Sequence, residues 1–157
     1  MEQETEKKRL PILPGLIHEA TSPDDKSYLI GSRCRNCGRS FFPRRSVCRV
    51  CLRDDTMEDT ALSTRGKIDT FAVVHVAPLG FKAPYIQAFV HLPEGPRVFA
   101  LITGVEPGED ALKDGQEVEM VVEKITEDEN GNDLIGYKFR PVAKASRAKT
   151  GDKGGEK

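Results

Sequence analysis

All four cysteines of this 157-residue chain fall in one short stretch, as Cys34-Arg35-Asn36-Cys37 and Cys48-Arg49-Val50-Cys51. Two Cys-x2-Cys pairs separated by ten residues predict a single four-thiolate metal site. Each pair forms a tight turn that aims two sulfurs at one point, and the residues between them fold as a hairpin that joins the turns. Gly38 follows the first pair and suits the positive φ such turns need. Leu52 holds the equivalent place after the second pair, so that turn departs from the pattern in residue type. Two disulfides are the competing use of the same cysteines. They suit an oxidising compartment, whereas Met1 to Arg9 is charged and no apolar leader core follows, so a reducing cytoplasm is expected. Zn2+ is the expected ion. A single iron fits the same sulfurs and makes an electron carrier, but nothing else in the chain is redox-specific. A four-cysteine zinc site has no open coordination position, so its role is structural. In a ribbon this small the metal supplies most of the folding energy, on the order of 10 kcal/mol.

The residues around the cysteines carry a second signal. From Ser32 to Arg53 there are seven arginines (Arg33, Arg35, Arg39, Arg44, Arg45, Arg49 and Arg53), with no lysine, aspartate or glutamate. Four thiolates around Zn2+ leave a net charge of about −2, which two or three guanidinium groups would screen. The surplus points to an anion, either phosphate or a carboxylate-rich surface, since both accept the bidentate guanidinium fork. Phe41-Phe42-Pro43 precedes Arg44 and Arg45 in the inter-pair hairpin, and core packing is the expected role of both phenylalanines.

The fold that must position these groups is mostly β. Residues 1–27 read as an N-terminal arm: a charged, disordered start, then Leu10 to Ile17, apolar but broken by Pro11, Pro14 and Gly15. That arm either wraps its own domain or docks on a partner chain. Residues 28–60 form the four-cysteine zinc ribbon. Residues 61–142 form a five-stranded OB-type barrel, with strands expected at Lys67–Val76, Tyr85–Leu92, Arg97–Val105, Gln116–Ile125 and Leu134–Arg140. Pro93 to Pro96 and Asn130-Gly131 mark hairpin turns, and Glu109 to Lys113 a single helical turn. Lys67 to Val76 alternates, but with apolar residues on both faces. Residues 143–157 are rich in Lys, Gly and Ala and read as a disordered basic tail.

Several function classes are disfavoured by composition. The formal net charge is −1 and no apolar run reaches membrane-spanning length. An OB-type barrel with a zinc ribbon suggests nucleic-acid binding as the alternative function. Against it, Glu106 to Asp133 holds eleven acidic residues and only Lys113 and Lys124, a net charge of −9 that repels a phosphate backbone. With the cysteines committed to metal there is no free thiol nucleophile, and the chain has no Gly-x-Ser-x-Gly, phosphate loop or His-Glu-x-x-His. His75 and His91 fall in expected strands, where packing or surface roles outweigh a catalytic pair.

The order of these features resembles the acyl-CoA-associated OB-fold family with a rubredoxin-like zinc ribbon. The likeness covers about Tyr28 to Val142. It rests on Leu29-Ile30-Gly31-Ser32-Arg33-Cys34-Arg35-Asn36-Cys37-Gly38, on Phe42-Pro43-Arg44 before the second pair, and on Gly66-Lys67-Ile68, Pro84-Tyr85, Glu94 to Arg97 and Phe139-Arg140-Pro141. The resemblance implies a non-catalytic accessory subunit, the partner of a thiolase-like catalytic subunit, an aldolase or a hydratase, in a hetero-oligomer that handles acyl-CoA. Pro14 to Ile17 departs from members with a helix before the ribbon and is similar to the thiolase-associated branch. Coenzyme A, with its phosphates, becomes a candidate ligand. Phe42, Arg44 and Arg45 are the candidate contacts for CoA, or for acidic residues of the partner.

Overall fold

The computed structural model describes residues 7–142. Of the expected disordered start, Met1 to Arg9, residues 1–6 lie outside the described residues, as does the basic tail (residues 143–157), whereas Arg9 is ordered at the head of the first strand. Among the described residues every regular element is a strand: β1 (Arg9–Pro11), β2 (Ile17–His18), β3 (Tyr28–Cys34), β4 (Ser40–Phe41), β5 (Met57–Ala61), β6 (Arg65–Val74), β7 (Tyr85–His91), β8 (Arg97–Ile102), β9 (Glu117–Glu127) and β10 (Asp133–Pro141). No helix among them is long and apolar enough to cross a membrane.

Strands β6 to β10 close a barrel in the order β6-β7-β8-β10-β9 and back to β6. The closure pairs are β9 with β6, antiparallel through Gly66 opposite Val118, and β10 with β8, parallel at Phe139 opposite Ile102. This is the expected five-stranded OB architecture, and closure leaves the barrel few exposed edges. Alternation places Ile86, Ala88 and Val90 of β7, with Val98, Ala100 and Ile102 of β8, in the interior. Phe139, fully buried, is the largest side chain of that core. Each buried Val, Ile or Phe among them contributes roughly 1.5–3 kcal/mol by leaving water.

The apolar residues on both faces of β6 have a structural cause. A register shift between Ile68 and Thr70 inserts Asp69 as an extra residue against β7. The bulge reverses the alternation, so Ile68 points inward before it and Phe71 and Val73 pack on the core after it. Ile68 and Thr70, although two residues apart, therefore do not share a face: Ile68 is buried, and Thr70 and Ala72 are exposed.

Two further departures follow from local chemistry. The expected helical turn at Glu109 to Lys113 is a pair of tight turns, closed by Ala111 N–H to Gly108 O at 3.1 Å and Gln116 N–H to Lys113 O at 3.1 Å. Gly115, at φ 80°, ends that connector in a conformation a helix cannot continue. Leu112 from the same connector is buried in the barrel core. The arm also has a place: β1 pairs parallel with the first half of β10, from Arg9 opposite Asp133 to Pro11 opposite Ile135. Of the two expected roles, the arm's first half takes the first and lies on its own barrel.

The ribbon sheet centres on β3, which pairs antiparallel with β2, β4 and β5. Leu29 of β3, and Leu62 just past β5, are buried in the same apolar cluster as the barrel strands, with Ile17 and Phe42 packed against it. Ribbon and barrel thus share one core at the ribbon's base.

Candidate metal centre

The two cysteine turns are near-copies of each other. In the first, Gly38 N–H donates to Cys34 O at 2.8 Å and Cys34 N–H to Arg39 O at 2.9 Å. In the second, Leu52 N–H donates to Cys48 O at 2.8 Å and Cys48 N–H to Arg53 O at 2.9 Å. Gly38 has φ 75° and Leu52 has φ 59°, so the second turn keeps the backbone of the first despite its side chain. A left-handed conformation costs a branched residue about 1–2 kcal/mol. Leu52 is exposed and gains little packing in exchange.

These turns bring all four sulfurs within 4.8 Å of one another. Cys34 Sγ lies 4.0 Å from Cys51 Sγ, and Cys37 Sγ lies 3.6 Å from Cys48 Sγ. A disulfide requires about 2.05 Å, so these thiols are not bonded in pairs. Four sulfurs at a tetrahedral Zn–S distance of about 2.3 Å are separated by about 3.8 Å, which matches the observed spacing. The sulfurs are already solvated by protein donors. Val50 N–H and Cys51 N–H each reach Cys48 Sγ at 3.4 Å, Asn36 Nδ2 reaches Cys51 Sγ at 3.1 Å, and Thr56 Oγ1 sits 3.2 Å from Cys34 Sγ.

The titration of the cluster carries the same message. The Thr56 hydroxyl and the Cys37 amide pull the Cys34 thiol down to about 6. The Arg39 amide favours the Cys37 thiolate, but burial and hydrogen bonds to the other three sulfurs outweigh it and push Cys37 up to about 11. Four thiols this close cannot all ionise unless a cation sits among them. The cysteines are therefore placed to hold a metal ion, and a closed sulfur shell offers no position for substrate.

Asn36 and Thr56 are parts of this centre that the cysteine spacing does not reveal. Asn36 lies inside the first pair and is a natural donor, whereas Thr56 comes from the approach to β5 and is brought in only by the pairing of β5 with β3. The arginines do not hydrogen-bond the sulfurs among the described residues. Arg35 instead donates to Asp55 O at 2.9 Å, Arg53 pairs with Asp55 at 3.2 Å, and Arg44 pairs with Asp59 at 2.8 Å.

Of the three residues expected to touch CoA or a partner, Phe42 and Arg45 line one cleft, while Arg44 is paired with Asp59. Phe42 stands edge-on to Tyr137 with centroids 5.7 Å apart, and Tyr137 in turn meets the core residue Phe139 at 6.4 Å. Phe42 thus ties the ribbon hairpin to β10. Arg44 is held by Asp59, and its guanidinium lies over Gly15, where a Cβ would come within 2.7 Å of it. Arg45 anchors its own backbone, donating N–H to the buried Ser32 Oγ at 2.9 Å, while its side chain is exposed. The two strand histidines are not a pair. His91 lies opposite Lys67 near the start of β6, and His75 lies past that strand's other end.

Comparison with known proteins agrees with this architecture. The profile of the ChsH2 rubredoxin-like zinc ribbon domain matches residues 25–58, and that of the ChsH2 C-terminal OB-fold domain matches residues 59–123. A DUF35 domain-containing scaffold protein of Pyrococcus furiosus is 46% identical over 124 residues, covering 77% of this chain and 88% of that protein. The benzoylsuccinyl-CoA thiolase subunit BbsA of Thauera aromatica is 37% identical over 129 residues, covering 82% of this chain and 86% of its own length. Among solved structures, a chain of the Ltp2-ChsH2(DUF35) aldolase superposes with a TM-score of 0.58 at 25% identity, over 73% of this chain and 84% of that one.

Proposed function

Because the chain belongs to the ChsH2 (DUF35) family of zinc-ribbon and OB-fold proteins, we propose that it is the non-catalytic accessory subunit of a thiolase-type acyl-CoA enzyme. In this reading Cys34, Cys37, Cys48 and Cys51 hold one structural Zn2+, and the chain supports assembly and CoA binding by a larger catalytic subunit. The observation that carries it is the commitment of every cysteine to one closed sulfur cluster. A thiolase acts through a reactive cysteine thiolate, and this chain has none to spare. Relatives named as a thiolase subunit and as scaffold proteins, and a fold shared with an aldolase complex, support the accessory role. A reducing compartment such as the cytoplasm suits thiolates held by a metal. The acidic run from Glu106 to Asp133 argues against the nucleic-acid alternative.

The test is an affinity pull-down of the tagged full chain from its native cytoplasm, with co-purifying proteins identified by mass spectrometry. The expected result is a stoichiometric thiolase-like partner, and thiolase activity only when both chains are present. Benzoylsuccinyl-CoA is the first acyl-CoA to assay, given the BbsA relatives. A lone monomer eluting beside an active thiolase overturns the proposal.

A further inference from the structure

Between the ribbon hairpin and the β7–β8 turn lies a cleft of about 440 Å3, whose lining includes Arg39, Arg45, Arg49 and Arg97 together with Phe41 and Phe42. Its size is that of a small-molecule site, for which roughly 300–1,000 Å3 is typical. The charge of the cleft is not answered within the described residues. Arg39, Arg45 and Arg49 form no ion pair there, while the neighbouring Arg44, Arg53 and Arg97 pair with Asp59, Asp55 and Asp69. The one carboxylate in the lining, Glu94, is taken up by the amide and hydroxyl of Ser63. Nor do these arginines serve the metal centre, whose sulfurs are hydrogen-bonded by Asn36, Thr56 and backbone amides. Three guanidinium groups held together without acceptors repel one another, and their planar forks match phosphate oxygens two at a time. Phe41 and Phe42 add apolar aromatic surface beside that charge. A concave site with aromatic and guanidinium walls fits a phosphorylated ring compound better than an extended acidic peptide.

We propose that this cleft binds the nucleotide end of coenzyme A, with its phosphates on Arg39, Arg45 and Arg49 and its base beside Phe41 and Phe42. The inference rests on the acyl-CoA part of the proposed function and gives that part a location. It moves the site away from Arg44, which is already committed to Asp59. The probe is adenosine 3′,5′-bisphosphate, titrated calorimetrically into the full zinc-loaded chain at low and moderate salt, with adenosine as the uncharged comparison. The expected result is saturable one-to-one binding. Affinity should fall tenfold or more in Arg45→Gln/Arg49→Gln and stay unchanged in Arg140→Gln, whose guanidinium pairs with Glu119 on the barrel. Zinc content and circular dichroism establish that each variant is folded. Should the double variant lose its zinc, Arg39→Gln alone carries the same tenfold expectation. Absence of saturable binding, an equal loss in Arg140→Gln, or tighter binding of an acidic peptide that displaces the nucleotide each overturns the proposal. The titration uses the isolated chain, so its failure leaves the partner pull-down, and the accessory-subunit reading, to stand or fall separately.

Discussion

Leu52 is the residue at which local preference and the demands of the metal centre conflict. Its φ of 59° is imposed by the second cysteine turn, in which its N–H must reach Cys48 O. Glycine fills the same position in the first turn at no steric cost. Leu52→Gly should therefore relieve about 1–2 kcal/mol of backbone strain. Against this stands roughly 0.5–1 kcal/mol for the added freedom of glycine in the unfolded chain. The expected net effect is a gain of up to about 1.5 kcal/mol, read as a rise in thermal midpoint at fixed zinc occupancy. A clear fall would mean that the exposed Leu52 side chain makes packing contacts that its 78% exposure denies. The strain was visible in the sequence only as an oddity of residue type. That the backbone conformation would survive it follows from the two cysteines and the hydrogen bonds that bracket it.

At the scale of elements, the junction of the arm with the barrel depends on Gly136. A Cβ there would lie 2.7 Å from Ile125 Cγ1 and 3.1 Å from Ile12 Cγ2, so the glycine lets the arm cross β10 closely. Gly136→Ala should cost about 1 kcal/mol or more through overpacking. The arm is the exposed side of that contact and is paired only with β10, so hydrogen exchange at residues 9–12 should rise before exchange in β7 or β8. An unchanged exchange pattern would show that Ile125 absorbs the methyl group and that the arm does not depend on this glycine. The strands β7, β8 and β10 were legible because their alternation is strong and their turns carry Gly, Pro or Asn-Gly. The four sulfurs were legible because spacing alone determines which turns form. The pairing of β1 with β10 was not, because it is made by backbone groups more than a hundred residues apart, and the prolines near β1 conceal any period. The bulge at Asp69 was hidden for a related reason: one extra residue exchanges the two faces, and a sequence with apolar residues on both faces does not say where. The arginine cleft was half-visible. The surplus of arginine announced an anion, but only the fold shows that Arg44 is committed elsewhere and that Arg97 joins from the barrel.

For the whole molecule, the question is how far loss of the metal propagates. Without a cation the four thiols must share protons, and the ribbon loses the interaction that closes it. The ribbon's outer turns have little else to hold them, whereas its base shares a core with the barrel through Leu29, Leu62 and Phe42. Tyr137 reports on that boundary. Burial raises its phenol to about 12, and its hydroxyl donates to Phe99 O at 2.8 Å. A phenol raised above its ordinary value of 10 supports the folded state fully below pH 10 and loses that support as pH rises from 10 to 12. In the zinc-loaded chain, a phenolate absorbance step at about 12 should be present and should vanish in Tyr137→Phe. Removal of zinc by a chelator should release the cysteine turns first, seen as exchange of amides at residues 34–53. If the shared base holds, the Tyr137 step stays near 12 and β7 and β8 remain protected. If the step falls toward 10 as zinc leaves, Phe42 has left Tyr137, and metal, ribbon and barrel form one cooperative unit rather than a ribbon carried on an independent barrel.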